Sequence, residues 1–194
     1  LCRRLCKYRC RASKTGSSYC LCKSAELSAQ IRLGMPATAF AAGDLLLHHQ
    51  EYQSIMKRAM LVPLSRSGST SEVLLALESI HASSDASILG IACAENSKLT
   101  EAADLMLELP WAFDESVCQT RSVVNLYTAV LLVVAYLSND QRLIENIGNA
   151  IRAGEDFMGC WEDRLAEVAC EDWSKAIVLA GGETRGIAEE GALA

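Results

Sequence analysis

The densest run of side chains able to do chemistry lies between Leu61 and Glu72. An apolar stretch, Leu61-Val62-Pro63-Leu64, enters Ser65-Arg66-Ser67-Gly68-Ser69-Thr70-Ser71-Glu72, a turn crowded with hydroxyls around one glycine. A strand that runs through such a turn into a helix aims unpaired backbone N–H groups and the positive end of the helix dipole at one spot. Ser and Thr hydroxyls add donors there, so the chemistry is anion binding. The same hydroxyls could cap the turn's own backbone, and Ser69 with Glu72 has capping-box spacing. Turn chemistry alone leaves both readings open. The run is no P-loop, because G-x-x-x-x-G-K-[ST] is missing, and G-x-G-x-x-G occurs nowhere.

Two further hydroxyl-rich turns stand ahead of helical patterns: Thr15-Gly16-Ser17-Ser18-Tyr19, and Asp114-Glu115-Ser116-Val117-Cys118-Gln119-Thr120-Arg121-Ser122. The second is also readable as an ordinary helix entry with acids in its first turn. In a doubly wound sheet, ligands bind beyond the carboxyl ends of the strands, where all three turns would converge. His48, His49 and His81 make no Ser-His-Asp order and no metal-binding pair at helical spacing. Of nine cysteines, Cys2, Cys6 and Cys10 repeat every fourth residue, but no C-x-x-C and no matching downstream pair occurs. No metal site and no cofactor are expected, and the odd number of cysteines in apolar stretches reads as reduced thiols of a cytoplasmic protein.

The elements that must position these turns follow from periodicity. Short runs at Ala37–Ala42, Met60–Ser65, Ile88–Cys93 and Leu105–Leu109 read as strands, the third and fourth largely apolar without clean alternation, as strands buried on both faces should be. Val73, Leu74, Leu77 and Ile80 fall at helical spacing and predict a helix over Ser71–Ala82. Helical stretches are expected at Leu21–Leu33, Leu126–Leu137, Arg142–Arg152 and Glu155–Ala169. Lys175–Ala180 reads as a fresh strand, followed by a Gly181-Gly182 turn and a further helical start. The class is α/β, with a parallel sheet between helical layers.

The 194 residues are 51% hydrophobic and 22% charged, a globular composition. The longest apolar run, Ala129 to Leu137, falls well short of the about 20 residues that span a bilayer, so no membrane partner is expected. The net charge of −6 is uneven. Residues 1–14 hold six cations and no acid, leaving the remainder at −12. An acidic body argues against a nucleic-acid surface.

The order T-G-S-S-Y, S-R-S-G-S-T-S-E, D-E-S-V-C-Q-T-R-S resembles the sugar isomerase (SIS) domain, especially the isomerase half of glucosamine-6-phosphate synthase and amino-sugar-phosphate deaminase/isomerases. The resemblance implies an αβα sandwich with a five-stranded parallel sheet over residues 1–171. Residues 1–14 are atypical, since Lys7, Arg9, Arg11 and Lys14 occupy the place of an apolar strand. Residues 172–194 would open a second SIS domain, truncated here. The resemblance further implies that Ser65, Ser67 and Thr70 bind a sugar phosphate and that Arg66 lends its backbone. Ser18 and Ser17 would close over the phosphate, Ser116, Thr120 and Ser122 would line the site, and Glu115 would be the carboxylate near the sugar, the one catalytic candidate. The implied activity of a complete protein is aldose–ketose interconversion of a phosphorylated amino sugar, or its deamination, in a homo-oligomer such as a dimer. The alternative is a SIS module that senses a sugar phosphate without turning it over.

Overall fold

The computed structural model describes residues 16–116 and 119–193. Helix α1 (Ser17–Leu33) is followed by α2 (Ala42–Met56) and the collinear strand segments β1 (Met60–Leu61) and β2 (Leu64–Ser65). Next come α3 (Ser71–His81), β3 (Ser87–Ala92), α4 (Lys98–Ala102), β4 (Leu105–Glu108) and a 3-10 turn at Pro110–Ala112. The chain then continues through α5 (Arg121–Leu137), α6 (Gln141–Ala169), a 3-10 turn at Gly182–Thr184 and α7 (Arg185–Leu193).

All pairings are parallel, with β3 in the centre. Met60 and Leu61 stand beside Ser87 and Ile88, and Leu64 and Ser65 beside Ile91 and Ala92, one unbroken register. Pro63, which lacks an N–H, interrupts the ladder but still accepts a 3.0 Å bond from Ile91 N–H through its carbonyl. β3 is an apolar run because both faces are covered. Ile91 and Cys93 pack with Leu21 of α1 and with Val123, Leu126 and Val130 of α5. Ile88 and Ala92 meet Leu77 of α3 and Leu99 of α4 on the other face. Each large side chain buried this way contributes roughly 1.5–3 kcal/mol relative to exposure.

Several expectations need correction. Among the described residues the sheet has four strand segments rather than five strands. Ala37–Ala42 is no strand. Its backbone groups go to α1 side chains, Gln30 donating to Ala37 O at 2.7 Å and Ala39 N–H to Glu26 at 2.9 Å, and α2 begins at Ala42. Arg142–Arg152 and Glu155–Ala169 are one helix, because Gly154 weakens a helix without ending it. Lys175–Ala180 forms no strand and is exposed, with Leu179 88% exposed. The cations of residues 1–14 lie outside the described residues. After Ala180 the chain folds back, and α7 lies on α1. There Ile187 N–H donates to Ser24 at 3.1 Å and Lys23 pairs with Glu189. A Cβ at Gly186 would come within 2.0 Å of the Cys20 carbonyl oxygen, so the two helices meet at the backbone. No helix of the described residues is long and apolar enough to cross a membrane.

Candidate functional site

β2 delivers the loop Ser65–Thr70 to the carboxyl end of the sheet, and α3 leaves from it. Ser65, only 3% exposed, accepts Gly68 N–H at 2.9 Å and lies 3.3 Å from the Thr70 hydroxyl, which curls the loop around its own oxygen. Gly68 has φ 60°, and a Cβ there would sit 2.0 Å from Ser97 Oγ and 2.5 Å from Ser97 Cβ. Its carbonyl accepts Leu99 N–H at 2.9 Å. Ser97 is in turn tied to Thr100, which donates to Glu108 at 2.7 Å, so the loop is pinned to α4 and β4.

The capping box expected from Ser69 and Glu72 does not form. The N-cap is Thr70, and it makes no side-chain cap. Ser69 turns back on Ser67 instead, its N–H meeting Ser67 Oγ and its hydroxyl Ser67 O, both at 3.3 Å. The first-turn N–H groups of α3 are therefore left without a side-chain acceptor from the loop. Ser69, Thr70 and Ser71 are exposed around them, and Ser67 is half-buried.

Arg66 joins two of the turns. Its guanidinium donates to Asp114 O at 3.0 Å and to Ser116 O at 2.8 Å, clamping the 114–116 segment beside the loop. The Asp114 carboxylate organises the rest of that turn, accepting Ser116 N–H at 3.0 Å on one oxygen and Thr120 N–H at 3.0 Å and Arg121 N–H at 3.2 Å on the other. The bond from Thr120 N–H, then that from Ser116 N–H, holds its carboxyl below the usual carboxylate range. Asp114 thus caps α5 from six residues upstream, a role that spacing alone did not reveal.

The remaining candidates divide. The Thr120 hydroxyl points to Asp114 at 3.3 Å, and Ser122 is fully buried and donates to Ala112 O at 2.8 Å, so both serve the turn. Ser116 gives its carbonyl to Arg66, and Glu115 is exposed. Ser17 and Ser18 are not in a loop but in the first turn of α1, whose N-cap Gly16 supplies no side chain and whose first turn holds no acid. Leu21, one turn further on the same helical face, packs with Leu64, Cys93 and Val123, which brings that turn to the carboxyl edge of the sheet. His48 and His49 sit on α2, which packs through Met56 against Ile80 and Ala86, at the opposite end of β3. Cys93 lies beneath the loop, its N–H shared between Ser65 O at 3.3 Å and Arg66 O at 3.2 Å. Burial raises its thiol pKa. Sequence reasoning left out Ser97 and did not assign Asp114 its role as the cap of α5. The Ser97-x-x-Thr100 spacing was the one signal that could have marked the loop's support.

No family model and no curated protein matches the sequence. Solved structures do. A Clostridium novyi NT protein assigned as a tagatose-6-phosphate ketose/aldose isomerase superposes with TM-score 0.80 at 21% identity, over 92% of this chain and 47% of that one. The C-terminal domain of glucosamine-fructose-6-phosphate aminotransferase from Francisella tularensis gives TM-score 0.73 at 21% identity, over 92% and 52%. Glucosamine-6-phosphate deaminase from Thermotoga maritima gives TM-score 0.60 at 26% identity, over 69% and 41%. The chain spans about half the length of these structures or less. Within the described residues it has the fold of a SIS-like domain.

Proposed function

We propose that the Ser65–Thr70 loop and the first turn of α3 bind the phosphate of a phosphorylated sugar. The observation that carries this reading is the open N-terminus of α3. Hydroxyls that could cap it are turned onto one another, so its N–H groups and positive dipole face the carboxyl edge of a parallel sheet. Ser67 and Thr70 give hydroxyl bonds to the phosphate, Ser65 shapes the loop, and Ser17 and Ser18 approach from α1. The Arg66 guanidinium holds the 114–116 turn, so that Glu115 stands over the sugar end and Ser116 lines it. Residues 172–194 are read as the opening of a second unit of the same kind.

In a complete protein this site would serve aldose–ketose isomerisation or deamination of an amino-sugar phosphate. Such proton transfer between C1 and C2 needs a base and an acid, each contributing about 10²–10⁴-fold. Of the carboxylates in the three turns, Glu72 belongs to the first turn of α3 and Asp114 is taken up by the N–H groups of Ser116, Thr120 and Arg121, which leaves Glu115, and the turns hold no lysine. The chain as given is therefore expected to bind without turnover, which also fits a sugar-phosphate sensor. Calorimetry with fructose 6-phosphate and with free fructose tests the reading. Phosphate-dependent binding should weaken roughly 10–150-fold in Ser67→Ala, as for loss of a bond to a charged group. Equal binding of the two sugars would refute it.

A further inference from the structure

Away from the anion loop, two side chains of α1 meet one from the 3-10 turn ahead of α7. Ser28 and Arg32 lie one turn apart on the same face of α1. Arg32 donates from Nη1 to Asp140 at 3.0 Å and from Nη2 to Glu183 Oε2 at 3.5 Å, so one guanidinium holds both the cap of α6 and the segment that leads into α7. Those two bonds fix the plane of the guanidinium and the rotation of the carboxylate. Left over are Arg32 Nε, a donor, Glu183 Oε1, an acceptor, and Ser28 Oγ, which can be either. All three atoms are closed off from solvent, and none has a hydrogen-bond partner among the described residues. Ser28 is fully buried, yet it does not bond back to the carbonyl four residues earlier, as Ser79, Thr128 and Ser138 do. Tyr127 of α5 borders the group. Burial and then the charge of Glu183 push its hydroxyl pKa up, while Ser28 and Arg32 pull it down, so all three reach the same phenol.

We propose that Ser28, Arg32 and Glu183 enclose one bound water molecule. A buried polar atom without a partner loses its full solvation, so three in one cluster point to a ligand between them. The donor set selects the ligand. Water accepts from Arg32 Nε–H, donates to Glu183 Oε1, and meets the Ser28 hydroxyl with its second hydrogen or second lone pair. That makes three bonds, the usual number for a buried water. A cation would face the guanidinium and an anion the carboxylate, so the ligand is neutral and both gives and takes hydrogen bonds. Because the three atoms are closed off from solvent, no larger molecule reaches them from outside. The water completes Arg32 as a junction of α1, the α6 cap and the turn at Gly182–Thr184, and so helps seat α7 on α1.

A crystal structure of the whole wild-type chain tests this without depending on any variant. One density peak is expected within about 2.7–3.2 Å of Ser28 Oγ, Arg32 Nε and Glu183 Oε1 together. Denaturant unfolding of two variants reads the same site in solution. Ser28→Ala leaves the water two partners, whereas the larger Ser28→Val puts a methyl group in its place and strands Arg32 Nε and Glu183 Oε1. The folding equilibrium constant of Ser28→Val should therefore fall on the order of 10–100-fold below that of Ser28→Ala, well beyond the roughly threefold that valine costs in a helix. A dry site predicts the reverse order, because the added methyl would fill a void. The absence of a peak in contact with all three atoms, or Ser28→Val as stable as Ser28→Ala, would overturn the proposal. None of these outcomes touches the anion loop.

Discussion

Replacing Gly68 by alanine asks whether the loop is held as tightly as its contacts imply. At φ 60° an L-residue incurs about 1–2 kcal/mol in the left-handed region. The new Cβ would lie 2.5 Å from Ser97 Cβ, an atom that no rotamer change can move, so α4 or the loop must shift. Forced overpacking of this kind costs roughly 1–3 kcal/mol. The shift would also stretch the 2.9 Å bond from Leu99 N–H to Gly68 O, contributing about 1 kcal/mol. Together these give about 3–6 kcal/mol, or a fall in melting temperature on the order of 10 °C for a chain of this size. Scanning calorimetry measures the fall, and titration with fructose 6-phosphate should show at least about 10-fold weaker binding as the loop moves. The double variant Gly68→Ala/Ser97→Gly removes the clash, leaving Ala92 Cβ at an ordinary 3.5 Å, and should recover most of the loss except the backbone strain. If Gly68→Ala melted and bound as wild type does, the pinned-loop reasoning would be wrong.

Two other outcomes follow from the same geometry. Cys160 and Cys170 are exposed, whereas burial pushes the Cys20 and Cys93 thiols up and the Cys22 thiol up to about 12. Brief alkylation at pH 8 followed by peptide mass spectrometry should therefore mark Cys160 and Cys170 well before these three, and early labelling of Cys93 would contradict its place beneath the loop. Asp114 has a lowered carboxyl pKa, so its contribution is present above the unfolded value of about 3.9 and is lost as pH falls through the folded value. Amide exchange at Thr120 and Arg121 should accelerate in that acid window, and Asp114→Asn should raise it already at neutral pH.

The parts of the fold that were readable from residue order are those where periodicity and burial coincide. β3 is apolar because both faces are covered, and α3 carries one stripe because it has one partner layer. Ala37–Ala42 misled because an apolar run does not reveal whether its N–H groups have a strand beside them, and here Gln30 and Glu26 took that place. The hydroxyl loop was legible as a place. Which hydroxyl capped what was not, since Ser65, Ser67, Ser69 and Thr70 differ only in the rotation each adopts once Gly68 is pressed onto Ser97. Arg66 shows the same limit: its side chain reaches across 48 residues of sequence to Asp114 O, a contact set by tertiary packing alone. Asp114 looked like a first-turn acid and is instead the cap of α5.

The central claim is that the open end of α3 receives a phosphate. Amide chemical-shift mapping on the whole chain reads those donors directly. Adding fructose 6-phosphate should move the N–H resonances of Ser67, Thr70, Ser71 and Glu72 together, with free fructose leaving them in place. Shifts of equal size with both sugars, or shifts confined to residues away from this turn, would contradict the account.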